Sequence, residues 1–134
     1  MHLREPRFKA DSLKIRTMIV DDCDVVRVGL MKLMETFPVI ELVGTATNAV
    51  DAIELAAETK PQLVIMDFQM PGLNGLEATR LIRDLQPATR VILISAHDLS
   101  LVGDCFGASG ADAFVPKDNL FNELKATIQR LFLS

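Results

Sequence analysis

The stretch Leu63-Val64-Ile65-Met66-Asp67-Phe68-Gln69-Met70-Pro71-Gly72-Leu73-Asn74-Gly75 decides the fold. Four consecutive apolar residues run into a carboxylate, Asp67, and then into a loop that Pro71 stiffens and Gly72 and Gly75 loosen. A short continuous apolar run bounded by turn residues reads as a strand buried on both faces, as in a parallel sheet. Asp67 then lies at the strand's C-terminal end, where open α/β sheets bind ligands.

Taken alone, Asp67 reads better as a turn or helix-capping acid. Three other apolar runs change the weighing. Ile15 to Val20 ends in Asp21 and Asp22, Val91 to Ile94 ends in Ser95, and Ala113 to Pro116 ends in Lys117. Acids, a hydroxyl and an ammonium at four separate strand ends are hard to explain as unrelated caps.

Helical spacing fills the intervals. Asp24 can cap a helix carrying Val26, Leu30, Leu33, Met34 and Phe37, which Pro38 ends. Ile40 to Thr45 forms a strand, and Thr47 or Asn48 caps a second helix with Val50, Ile53, Leu55 and Ala56. Asn74 or Gly75 starts a third, whose apolar side is Leu76, Ala78, Leu81, Ile82 and Leu85. Residues Asp98 to Gly107 make a weak fourth helix, because Gly103 and Gly107 each cost about 1 kcal/mol relative to Ala. Asp118 caps a fifth, with Leu120, Leu124, Ile128 and Leu131 on one side. Strands alternating with amphipathic helices imply an α/β fold, a doubly wound five-stranded parallel sheet. Pro116 puts the last strand at the sheet edge.

The 134 residues suit one domain, and 49% hydrophobic content can build a core. A net charge of -4 and a pI near 5.1 argue against direct nucleic-acid binding. The exception is a basic, flexible N-terminal arm over residues 1–14, with the domain proper over 15–134. Cys23 and Cys105 show no framework or ligand spacing, and Cys23 reads as a small filler. The Met31 and Met34 stripe reads as core or docking surface rather than a ligand. No apolar run is long enough to span a membrane, so the chain is expected to be cytoplasmic.

With parallel strands, Asp21, Asp22, Asp67, Ser95 and Lys117 converge at one edge. Clustered carboxylates raise each other's pKa unless a cation neutralises them, and oxygen-only ligands select a hard ion, Mg2+. Metal, ammonium and hydroxyl are also what a transferring phosphoryl group needs, with Asp67 as the acceptor carboxylate.

From Ile15 onward the sequence resembles the receiver domain of two-component response regulators. The resemblance rests on Asp21-Asp22, the Asp67-x-x-Met70-Pro71-Gly72 loop, Ser95-Ala96, and Gly110-Ala111-Asp112-Ala113-Phe114-Val115-Pro116-Lys117. It implies a flavodoxin-like receiver fold with strand order 2-1-3-4-5. It also implies Asp67 as phosphoacceptor from a sensor histidine kinase, and Mg2+ on Asp22, Asp67 and the Gln69 carbonyl, with Asp21 more distant. Lys117 and Ser95 would contact the phosphate, and Ser95 and Phe114 would shift to repack the face of the fourth helix, last strand and fifth helix.

Two departures stand out. Pro116 precedes Lys117 where the family often has proline after the lysine, and Phe114 replaces a common tyrosine. Gln69 and His97 occupy positions that tune hydrolysis of the acyl phosphate in the family. The wording is similar to receivers that precede a helix-turn-helix output domain, so the expected role is control of transcription through such a domain, with the chain an excised fragment. A stand-alone receiver regulating a protein partner is the alternative. Phe121 and Phe132, off the apolar stripe, suggest a covered surface and a homodimer. The chain is not expected to be an enzyme. An aspartate-nucleophile phosphohydrolase would want a general acid where Gln69 stands, and a flavin carrier would want a phosphate-cradling glycine loop and aromatic rings, with Trp and Tyr both at zero.

Overall fold

The computed structural model describes residues 14–70, 72–96 and 109–133. The expected arm up to residue 13, Pro71, His97, Cys105 and the expected Asp98 to Gly107 helix lie outside the described residues.

Five parallel strands form one sheet in the order β2-β1-β3-β4-β5: β1 (Ile15–Val20), β2 (Ile40–Ala46), β3 (Leu63–Asp67), β4 (Arg90–Ser95) and β5 (Ala113–Pro116). β3 is buried at all five residues, as its unbroken apolar run requires. β5 forms an edge and ends at Pro116, which pairs with Ser95 and needs no N–H on its open side.

Alternation along the strands separates two cores. Ile15, Ile19, Leu63, Ile65, Ile92, Ile94 and Val115 meet α1 (Asp24–Glu35) and α4 (Leu120–Phe132). Met18, Val20, Val64, Met66, Val91 and Leu93 meet α2 (Ala49–Thr59) and α3 (Gly75–Leu85) on the other face. Asp21 and Asp67 continue the first parity, whereas Ser95 and Phe114 continue the second.

Several helix details differ from the sequence expectation. α1 is capped by Cys23 rather than Asp24, and Asp24 instead pairs with Arg27. Phe37 falls beyond the helix end but stays buried. Asn48, not Thr47, caps α2 by accepting from the Asp51 N–H at 2.8 Å. The buried stripe of α2 is Ala49, Ala52 and Ala56, while Val50 is exposed. In α3 the buried residues are Gly75, Ala78, Thr79 and Ile82, leaving Leu81 and Leu85 in solvent. Asp118 lies in a 3-10 turn, Lys117–Asn119, and Asn119 takes the cap position of α4 without a side-chain bond to the helix backbone. Phe132 packs against the core, so only Phe121, 72% exposed, remains of the two aromatics expected on the surface. Cys23 is exposed rather than a filler. Met34 is buried and Met31 packs beside it, as expected.

The C-terminus of α2 carries a testable strain. Lys60 sits in the left-handed region at φ 48°, and Arg16 donates to its carbonyl at 2.8 Å and to that of Thr59. The left-handed conformation costs a non-glycine residue roughly 1–2 kcal/mol. Glycine would relieve this but return about 0.4–1 kcal/mol to the unfolded chain as entropy. Lys60→Gly is therefore expected to raise stability by about 0.5 kcal/mol in urea denaturation. A loss of stability would contradict this account.

Candidate functional site

The C-terminal ends of β1, β3 and β5 bring three charged groups together. Lys117 Nζ lies 3.0 Å from Asp21 Oδ2 and 3.3 Å from Asp67 Oδ1. Both carboxylates are buried, and the lysine reaches them from the turn that follows β5. Asp22, the next residue along, is exposed, and one carboxylate oxygen from each of Asp21, Asp22 and Asp67 lies within 4.8 Å of the others.

Backbone donors fix both buried acids. The Cys23 N–H donates to Asp21 Oδ1 at 2.8 Å, and the Gln69 N–H donates to Asp67 Oδ1 at 3.2 Å. Asp21 Oδ2 has the ammonium as an ion-pair contact but no hydrogen bond of good geometry. A buried carboxylate oxygen in that state is costly unless a cation completes it.

Electrostatics follow from this crowding. Burial first, and then the charge of Asp21, push Asp67 up from 3.8 to about 7, against the lowering effects of Lys117 and the Gln69 N–H. For Lys117, burial works toward the neutral form but is outweighed by the 3.0 Å contact with Asp21 and the charges of both acids, so its pKa is raised. The ammonium stays charged. Fully ionised, the three carboxylates would exceed the one ammonium by two negative charges, and the donors are oxygens only. That donor set fits a hard divalent ion such as Mg2+.

Ser95 is buried at the end of β4, one residue beyond Ile94, the register partner of Asp67. Phe114 is half-buried against the core on the α2 and α3 face. Both therefore sit at the site's flank, on the opposite parity from Asp21 and Asp67. Beside the acids, Phe68, Gln69, Met70 and Asn74 line an open groove of about 500 Å3.

Two residues gain importance that their spacing in sequence does not announce. Gly75 was expected to loosen the loop, but it tightens it. Its Cα sits so close to the Asp67 peptide that an added Cβ would overlap the Asp67 carbonyl oxygen. Arg27 donates to the backbone carbonyl of Asp21 at 3.0 Å. Neither contact has a local signal, since both are tertiary.

The comparisons agree with this geometry. The family model for the response regulator receiver domain matches residues 17–129. A relative in Rhizobium johnstonii, the transcriptional regulatory protein MctR, is 35% identical over 116 residues, covering 87% of this chain and 54% of that protein. The chain thus spans about half the length of the curated relatives it matches. A crystal structure of a LuxR-family two-component response regulator from Aurantimonas superposes with a TM-score of 0.83 at 35% identity, covering 89% of this chain and 85% of that one. The receiver domain of the histidine kinase CKI1 from Arabidopsis thaliana, complexed with Mg2+ and BeF3-, gives 0.76 at 26% identity, covering 91% and 93%. Among the described residues no helix is long and apolar enough to cross a membrane.

Proposed function

The chain belongs to the response regulator receiver domain family, and on that premise we propose that Asp67 accepts a phosphoryl group from the phosphohistidine of a sensor histidine kinase. The observation that carries the reading is the convergence of Lys117 on Asp21 and Asp67, at 3.0 and 3.3 Å. An Asp67 carboxylate oxygen forms the new P–O bond while the P–N bond to the kinase histidine breaks, and the imidazole nitrogen leaves with the electron pair. Asp22, Asp67, the Gln69 backbone carbonyl and, more distantly, Asp21 would hold Mg2+, which would supply positive charge to offset the carboxylates and the phosphoryl oxygens.

Lys117, kept protonated by its two acidic neighbours, takes a phosphoryl oxygen with its ammonium. Ser95 donates its hydroxyl to another, and Phe114 moves toward the space this leaves. Supporting that coupling, Ser95 and Phe114 share one face of the sheet on adjacent strands, in the register that pairs Leu93 with Phe114 and Ser95 with Pro116. The shift would reach the surface of β5 and α4. Phe121, exposed on α4, supports a covered face there, met by an output domain or a second copy. The transcriptional relative and the LuxR-family neighbour support control of transcription as the outcome.

The chain acts as an acceptor rather than a hydrolase, because Gln69, two residues past Asp67, offers an exposed amide that cannot protonate a leaving group. Incubation with a small acyl phosphate and Mg2+ is expected to add one phosphate mass, seen by intact-protein mass spectrometry. Asp67→Asn and chelation of the metal should each abolish it. Uptake that persists in Asp67→Asn would reject the assignment.

A further inference from the structure

Asp21 is held at each of its polar groups. Its N–H donates to the Ala46 carbonyl at 3.1 Å, its Oδ1 accepts from the Cys23 N–H at 2.8 Å, and its Oδ2 faces the Lys117 ammonium at 3.0 Å. The remaining group, the backbone carbonyl, accepts from Arg27 Nη1 at 3.0 Å. Nη2 of the same guanidinium lies 2.5 Å from Asp24 Oδ1, and the Arg27 side chain is largely buried while that of Asp24 is 82% exposed.

That carbonyl belongs to the peptide linking Asp21 to Asp22. A peptide unit is planar, so fixing the carbonyl fixes the plane that carries the Asp22 nitrogen and Cα. Asp22 itself is exposed, so the backbone beneath it is what aims it. We propose that Arg27 is a positioning residue of the cation site, clamping the Asp21–Asp22 peptide from α1 and so holding two of the three carboxylates in register. The inference rests on the divalent-cation reading above.

The guanidinium suits this task because its planar fork presents two donors to two oxygens at once. It is also anchored at its base, since the Arg27 N–H donates to the Cys23 carbonyl in the first turn of α1 at 2.9 Å. Clamp and simple charge make opposite predictions. A cation beside an acidic pocket repels a divalent ion, so on charge alone its removal would tighten binding. Loss of a clamp loosens it, and partners that orient metal ligands are worth about 10- to 100-fold in metal affinity.

The test is calorimetric titration of Mg2+ into the wild-type chain, Arg27→Ala and Arg27→Lys. Arg27→Ala is expected to bind about tenfold more weakly, at the low end of that range. Arg27→Lys keeps the charge but has one ammonium for two acceptors, and is expected to bind about fivefold more weakly. Binding by Arg27→Ala as tight as wild type, or tighter, would overturn the clamp while leaving the cation site intact. Should Arg27→Ala fail to fold, Arg27→Lys decides, with wild-type affinity as the overturning result. No Mg2+ binding by the wild-type chain would overturn the site reading and the clamp with it.

Discussion

At pH 8 and without a divalent cation, Asp67→Asn is expected to be more stable than the wild-type chain. The cause is the raised pKa of Asp67, pushed to about 7 by burial and then by Asp21. The folded state holds this proton more tightly than the unfolded chain, where the carboxyl keeps its ordinary value near 3.8. Between about pH 4 and 7 the native protein binds the extra proton, so its stability falls as pH rises through that window. Each factor of ten in proton affinity is worth about 1.4 kcal/mol, which sets a ceiling of a few kcal/mol on the penalty above pH 7. Asparagine has no charge to desolvate, and Lys117 keeps Asp21 as its partner at 3.0 Å. The expected gain is about 2 kcal/mol at pH 8, allowing for relaxation around the carboxylate, and close to nothing at pH 4. Urea denaturation of both proteins at the two pH values measures it. Millimolar Mg2+ should narrow the gap at pH 8, because an ion that binds only the folded wild type stabilises it by mass action. A gap of the same size at both pH values, or an Asp67→Asn protein less stable at pH 8, would refute this electrostatic account.

The same crowding explains which parts of the molecule were legible in the sequence. The unbroken run Leu63 to Met66 is visible as a strand because burial on both faces leaves no polar alternation, and the acid that ends it is placed by the strand itself. Asp21, Asp67 and Lys117 were legible for that reason, since parallel strands carry their ends to one edge. Helix faces were less so. In α2 and α3 the sheet is covered by Ala49, Ala52, Ala56 and Ala78, while the larger Val50, Leu81 and Leu85 point to solvent. A reading that ranks residues by hydrophobicity prefers the large side chains, whereas close helix-to-sheet packing selects small ones. Asp118 misled differently. The chain needs a tight 3-10 turn to swing Lys117 back toward the acids, which moves the start of α4 past Asp118. Arg27 and Gly75 stayed hidden because each acts on a backbone atom brought near only by folding, Arg27 on the Asp21 carbonyl and Gly75 on that of Asp67.

Gly75→Ala should therefore be among the most damaging single-methyl additions in the chain. A Cβ there would overlap the Asp67 carbonyl oxygen and lie 2.9 Å from the Asp67 carbonyl carbon and 3.0 Å from Phe68 Cα. These are backbone atoms, so no flexible side chain can turn aside. They are also pinned, by the Gly75 N–H donating to the Phe68 carbonyl at 3.0 Å and the Phe68 N–H donating to Ile94 at 2.8 Å. Overpacking of this kind costs about 3 kcal/mol, at the upper end of the usual range, because relief requires moving α3 away from β3. That movement carries the Asp67 peptide with it, so phosphoryl uptake from a small donor should slow by at least about tenfold, as misplacement of a reacting group by an ångström can cost two orders of magnitude. Gly29→Ala supplies the contrast. Gly29 lies within α1 with nothing within 4 Å of the added carbon, so alanine should stabilise by about 0.5–1 kcal/mol through helix propensity and leave uptake unchanged. Denaturation midpoints and uptake rates of the two variants, measured side by side, check both signs. If Gly75→Ala were as stable and as fast as Gly29→Ala, α3 would not be braced against the acceptor, and the close approach at Gly75 would have no part in holding Asp67 in place.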